Sequence, residues 1–170
     1  MTAPSTNRPA DRDTRNFSQA LKLSGLKNVA FTLIPKGNGH GLNAAATLTT
    51  PGAPNGVRLG ISHDLDGHLQ ASYGTEPSQP IPDIDRATLA SIHTSLDTLE
   101  RLRDAAENLY RARMQEAGVR LAAVYTERLM TARAAGDTTF DVLAELPYDD
   151  LAEEGLNAVA HLNALATVHT

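Results

Sequence analysis

Apolar residues alternate with polar or small ones along residues 28–75, and this period of two predicts β-strands. The clearest case is the hairpin around Gly67. A two-residue turn there would mix apolar and polar side chains on both faces. A three-residue loop over 65–67 instead pairs His63 with Leu69 and keeps the apolar side chains on one face. The pattern therefore predicts this register, with Gly67 in the left-handed conformation.

Two earlier stretches complete the predicted sheet. The glycine-rich segment 36–41 separates two alternating segments and predicts a flexible hairpin connection. Residues 50–56 contain two prolines and an Asn-Gly pair, which predicts a loop. The first half of the chain is therefore expected to form an antiparallel β meander of about four strands.

From Arg86 the period changes, because apolar side chains recur every three or four residues as on an amphipathic helix. Asp83 or Asp85 is expected to cap this helix, and Gly136 follows its end. An unbroken helix over 86–135 would be about 75 Å long, whereas a compact chain of this size has a radius of gyration of about 15 Å.

This length leaves two alternatives for the helix. The chain folds back near Gly118 into a helical hairpin, or the helix projects and buries its apolar stripe against a second copy, as in a coiled coil. The stripe keeps its phase across Gly118, which favours the second alternative. The predicted oligomer interface comprises Leu89, Ile92, Leu96, Leu99, Leu102, Ala106, Tyr110, Met114, Leu121 and Val124.

The predicted architecture is an α+β protein forming one domain, with the β meander first and the helices after it. Residues 1–16 are expected to form a flexible basic arm, and residues 17–75 a short helix plus the antiparallel sheet. Residues 76–85 form a proline-rich junction. Residues 86–170 form a helical region, with the long helix or helical hairpin followed by C-terminal helices.

Composition narrows the possible chemistry. The chain of 170 residues has no cysteine, which excludes disulfides, thiolate metal sites and thiol nucleophiles. Only 4% of the residues are aromatic, which favours close helix packing over a roomy ligand pocket. The sequence contains no secretory signal and no apolar run long enough to span a membrane, so a cytoplasmic protein without membrane contact is expected.

The two ends of the chain carry opposite charge. Residues 1–36 have an excess of four positive charges, whereas residues 137–170 carry seven acidic residues and neither lysine nor arginine. We expect the acidic segment to associate with basic surface of the same assembly, either the N-terminal arm or the arginines of the long helix. The alternative is that these acids only cap helices and keep the surface soluble.

Residues 63–68 most resemble a metal site, since they hold two histidines and two aspartates. In the predicted register His63 and His68 lie on opposite faces, so that only Asp64, Asp66 and His68 converge. A turn with an Asp64–His68 cross-strand pair is the favoured interpretation, and neither a metal nor a cofactor is predicted. The glycine-rich segment 36–41 is followed by a strand instead of the helix that a phosphate-binding loop needs.

Arginines of the arm and of the long helix are the candidates for contact with nucleic acid, and acidic residues interleaved on the helix favour a salt-bridged surface instead. The candidate contacts are Arg8, Arg12, Arg15, Arg101 and Arg111.

No motif identifies a function. The favoured class is a non-enzymatic interaction, assembly or regulatory protein that forms a dimer or larger homo-oligomer through its long helix. Another protein is a second candidate partner. The alternatives are a nucleic-acid-binding protein and a small enzyme with a site near residues 63–68 and His40.

Overall fold

The computed structural model describes residues 9–36, 39–75, 85–139 and 148–168. The elements are α1 (Pro9–Leu23), β1 (Lys27–Lys36), β2 (Gly39–Thr50), β3 (Ala53–His63), β4 (Leu69–Thr75), α2 (Arg86–Ala134) and α3 (Tyr148–Val168). The strands pair antiparallel in the order β1-β2-β3-β4. The predicted α+β fold, a meander followed by helices, is confirmed.

The β3–β4 hairpin has the predicted register. His63 pairs with Leu69, and Gly67 has a φ of +85° in the three-residue loop. The side chain of Asp64 fixes this loop, because its Oδ1 accepts hydrogen bonds from the backbone N–H groups of Asp66 and His68 at 3.0 and 2.8 Å. Sequence and structure agree here because strand alternation and turn chemistry require the same register.

The predicted loop over 50–56 is wrong. Strand β3 already begins at Ala53, which pairs with Thr50, so the turn is only two residues long. Pro54 is tolerated because it is the second residue of the strand and adjoins an irregularity in the β2–β3 register. Gly56 accommodates the irregularity with a φ of +89°.

The N-terminal helix is longer than predicted. It begins at Pro9, so residues 9–16 of the expected flexible arm are helical, and residues 1–8 lie outside the described part of the chain. Proline fits the first helical position because the N–H that it lacks would have no intrahelical acceptor there. Phe17 and Leu21 are buried on this helix. The predicted junction 76–85 is described only at Asp85.

Helix α2 is continuous for 49 residues and passes through Gly118, so the helical hairpin alternative is wrong. Asp85 is its N-cap and accepts a hydrogen bond from the backbone N–H of Thr88 at 2.7 Å. The helix ends where predicted, at a left-handed Gly136 with a φ of +81°. Among the described helices, none is both long and apolar enough to cross a membrane.

The helices cover one face of the sheet. Helix α2 packs on β2 and β3, α3 packs on β1 and α2, and α1 packs on α2. The largest fully buried side chains of this single core are Phe17, Leu42, Val57, Leu59, Ile92, Leu99, Leu102, Leu109 and Leu162.

Much of the predicted oligomer interface is already buried within the single chain. Six of its ten side chains are at most 9% exposed in the single chain, because this part of the apolar stripe of α2 packs against the sheet. They are Ile92, Leu96, Leu99, Leu102, Ala106 and Tyr110. Leu89 and Val124 are 36% and 48% exposed, and Met114 and Leu121 are half-buried.

Candidate interaction surface

Strand β4 is a terminal strand of the sheet, and its side chains from Leu69 to Tyr73 are all exposed. Segment 69–75 contains neither a charged residue nor a proline. Its register with β3 runs without a shift from Val57 to His63. Edge strands of natural proteins usually carry lysine, proline or a bulge that prevents pairing with another chain. Strand β4 lacks these features, which makes it the first candidate surface.

The apolar row of β4 is exposed because the helix above the sheet does not extend over it. Leu59 and Ile61 of β3 are 0% and 2% exposed beneath α2. Their partners in β4, Tyr73 and Ala71, face the same side as Leu69, and Leu69 and Tyr73 are 39% and 46% exposed. Helix α2 packs on β2 and β3, so the row on the next strand lies beside the helix rather than under it.

The hydrogen-bonding groups at this edge follow from the strand pairing. The backbone N–H of Asp64 donates to the His68 carbonyl at 2.9 Å, which makes this a hydrogen-bonded pair. Such pairs alternate along an antiparallel ladder. Residues 70, 72 and 74 therefore direct their backbone groups toward β3, and Leu69, Ala71 and Tyr73 direct theirs away from the sheet.

The opposite edge of the sheet is closed at the corresponding position. Asn163 of α3 accepts the Phe31 N–H through Oδ1 at 2.8 Å and donates from Nδ2 to the Phe31 carbonyl at 3.2 Å. Backbone groups alternate in direction along each strand, starting from the hydrogen-bonded pair of Asp64 and His68. When this alternation is followed through β3 and β2 to β1, the backbone N–H and carbonyl of Phe31 also point away from the sheet. Sequence reasoning missed Asn163. Its only signal was a polar residue beside Leu162 in a largely apolar segment.

A polar corner adjoins the β4 edge. Arg103 and Glu107 of α2 are only 7% and 8% exposed, and Glu107 pairs with Arg111 at 2.6 Å. Burial lowers the pKa of the nearby His63, and the positive charges of Lys36 and Arg103 lower it further, while Glu107 and Asp64 act in the opposite direction. The net effect favours the neutral imidazole.

Asp64, Asp66 and His68 converge as the register predicted, with one ligand atom of each within 4.8 Å of the others. Asp64 uses Oδ1 to hold the turn, and its Oδ2 lies 3.5 Å from Nδ1 of His68. The side chain of His68 is 79% exposed. These contacts account for the cluster as turn chemistry. His40 is exposed on β2, opposite Pro35.

The candidate nucleic-acid residues are spread over two helices. Arg12 and Arg15 are exposed on α1, Arg101 is exposed on α2, and Arg8 lies outside the described residues. Arg111 is engaged by Glu107, four residues earlier. The more exposed contacts of Glu116 with Arg113 and Arg120, both at 3.9 Å, support the predicted salt-bridged surface of α2.

The acidic start of α3 lies beside the long helix. Arg120 of α2 lines a cleft of about 380 Å³ together with Asp150, Glu153 and Glu154. This places one of the arginines of the long helix beside the acidic segment. Leu121 and Val124 line the same cleft. Comparison with models of protein families, with curated proteins and with solved structures found no match to this chain.

Proposed function

We propose that this protein is a non-enzymatic interaction or assembly protein that self-associates through the distal half of its long helix. One observation carries the proposal. Beyond Ala117, α2 has an exposed stripe without charge, at spacings of three and four residues, formed by Val119, Ala122, Thr126 and Met130. Val119 and Met130 are 65% and 67% exposed.

This stripe differs from the one predicted from the sequence. At 100° per residue, Val119 and Met130 lie within about 20° of each other on the helix surface. Leu121 and Val124, which line the cleft against α3, point to the other side. Alanine in the middle of the stripe allows a second helix to approach closely, and the Thr126 hydroxyl donates internally to the Ala122 carbonyl at 2.7 Å. The stripe therefore suits helix–helix contact between two copies.

The first test is the mass in solution, measured by light scattering at micromolar concentration. The chain mass is 18.1 kDa, and the proposal requires a larger assembly. Replacing Val119 and Met130 with glutamate should weaken association without unfolding, because both positions are exposed. Val168→Glu is the matched control, since Val168 is 78% exposed at the end of α3.

Two results would refute the proposal. A monomeric wild-type protein excludes self-association, and an unchanged dissociation constant in Val119→Glu/Met130→Glu excludes the stripe. Leu99→Asp should instead unfold the chain, because Leu99 is 0% exposed and a charge there is buried without a partner. The two classes of variant thus separate interface from core.

A further inference from the structure

We infer that β4 pairs antiparallel with β4 of a second copy, joining two four-stranded sheets into one of eight strands. The inference rests on the proposed class, a self-associating protein, but uses a different surface from the α2 stripe. The two edges of the sheet differ. Asn163 of α3 binds the backbone N–H and carbonyl of Phe31 at the β1 edge, whereas the side chains of β4 from Leu69 to Tyr73 are exposed.

The strand is self-complementary about Ala71. A two-fold axis through the Ala71 pair sets Leu69 opposite Tyr73 of the second copy, and Gln70 opposite Ser72. The outward backbone groups of Leu69, Ala71 and Tyr73 then meet one another, as a hydrogen-bonded ladder requires. Leu69 and Tyr73 can then remove apolar surface from water by contacting each other, and both lie on the face of the sheet that carries the helices.

The charges on the outer face are compatible with this register. Arg58 lies opposite Gly74 in the β3–β4 ladder, and Asp64 forms the closing pair with His68. In the register centred on Ala71, Gly74 faces His68 of the second copy. On the outer face, Arg58 and Gly74 of one copy then lie in one cross-strand row with His68 and Asp64 of the second copy. Gly74 has no side chain in this row. The two-fold axis repeats this row.

A second copy fits this edge better than a charged partner. Segment 69–75 has no charge, so that two identical strands meet without repulsion in the ladder. The register centred on Ser72 instead places Leu69 opposite Thr75 and puts Arg58 in a row with Gln70 and no carboxylate. The pairing of Leu69 with Tyr73 therefore favours Ala71 as the centre.

The absence of cysteine permits a direct test of the register. Ala71→Cys should form a disulfide-linked dimer under mild oxidation, because the Cα atoms of a hydrogen-bonded pair are about 5.5 Å apart, within the range for a disulfide. Ser72→Cys should not, since the two copies of residue 72 would be diagonal neighbours about 7 to 8 Å apart. Leu65→Cys, in the exposed loop, controls for random collision.

A second variant tests the edge without oxidation. The Ala71 N–H points away from β3, so Ala71→Pro leaves the β3–β4 ladder intact and removes the donor at the centre of the proposed pairing. It should raise the dissociation constant at least about tenfold, because two symmetric hydrogen bonds are lost. A circular dichroism spectrum and melting temperature close to wild type show that the chain is folded.

The outcomes separate this inference from the proposed function. Linkage of Ala71→Cys alone, retained in the Val119→Glu/Met130→Glu background, supports β4 pairing as a second surface. Linkage of Ser72→Cys alone overturns the register. A self-associating protein in which neither cysteine links and Ala71→Pro has no effect overturns β4 pairing and leaves the helix stripe standing. A monomeric wild type overturns both.

Discussion

Asn163 offers the sharpest test of how the sheet is terminated. Its amide forms two hydrogen bonds with the backbone of Phe31, at 2.8 and 3.2 Å, across 132 residues of sequence. Asn163→Ala removes both partners and leaves a backbone N–H and a carbonyl of β1 without protein partners. Each such bond contributes about 0.5–1.5 kcal/mol. We expect the free energy of unfolding to fall by about 2 kcal/mol.

The assay is urea unfolding monitored by circular dichroism, and thermal melting is measured on the same variants. For a chain of this size, 2 kcal/mol corresponds to a decrease in Tm of about 4–8 °C. Asn157→Ala is the matched control, because Asn157 is an exposed asparagine on the same helix. Its effect should stay within about 0.5 kcal/mol.

Asn163→Asp sharpens the test, because it preserves shape and keeps the oxygen that accepts the Phe31 N–H. It replaces the Nδ2 donor with an oxygen that faces the Phe31 carbonyl, so it should destabilise the protein although its volume is unchanged. Asn163→Ala and Asn157→Ala could instead lower the free energy of unfolding by the same small amount. In that case α3 does not stabilise the edge of β1, and the contrast between the two edges has no energetic basis.

Three further predictions concern the helix cap, two glycines and His63. Asp85→Ala should lower the free energy of unfolding by about 1 kcal/mol through loss of the N-cap, whereas Asp85→Asn should keep most of it; urea unfolding of the pair checks this. Gly67→Ala should lower the free energy of unfolding by about 1–2 kcal/mol because the φ of Gly67 is +85°. Gly118→Ala should raise it by about 1 kcal/mol, since open space surrounds the added Cβ. The two variants should therefore shift Tm in opposite directions. The lowered pKa of His63, caused first by burial, means that the folded state binds this proton less readily than the unfolded state. Stability should therefore fall as the pH drops below about 6.5 toward the folded pKa, and His63→Gln should flatten that slope in unfolding measured from pH 7.5 to 5.

The sequence predicts structure well where two local signals agree. The β3–β4 register followed from strand alternation and from the need for a left-handed residue at Gly67. The continuity of α2 followed from an apolar stripe that keeps its phase through Gly118. The same rules failed at Pro54, because a proline near the start of a strand predicts a loop. Only the irregularity in the β2–β3 register explains why the strand tolerates it.

The partner of an apolar stripe is harder to predict than the stripe itself. Ile92 and Leu99 repeat at helical spacing whether the surface opposite them belongs to the same chain or to a second copy. The hydrophobic effect depends on the area removed from water and not on its source. Only the tertiary arrangement shows that the sheet covers this half of the stripe. Asn163 was missed for a related reason, since its partner, Phe31, is distant in sequence.

The two proposed surfaces have different consequences for assembly. Each is isologous, because the same residues meet on both copies, and either alone produces a closed dimer. Together they extend the assembly beyond two chains. The axis of β4 pairing runs perpendicular to the sheet, so it keeps the helices of both copies on one side of the eight-stranded sheet. The distal stripe of α2 lies beyond the sheet-covered half of the helix. Whether the assembly closes as a tetramer or continues as a polymer therefore depends on the angle between the two axes, and the net charge of −5 on every chain opposes open growth most strongly at low salt.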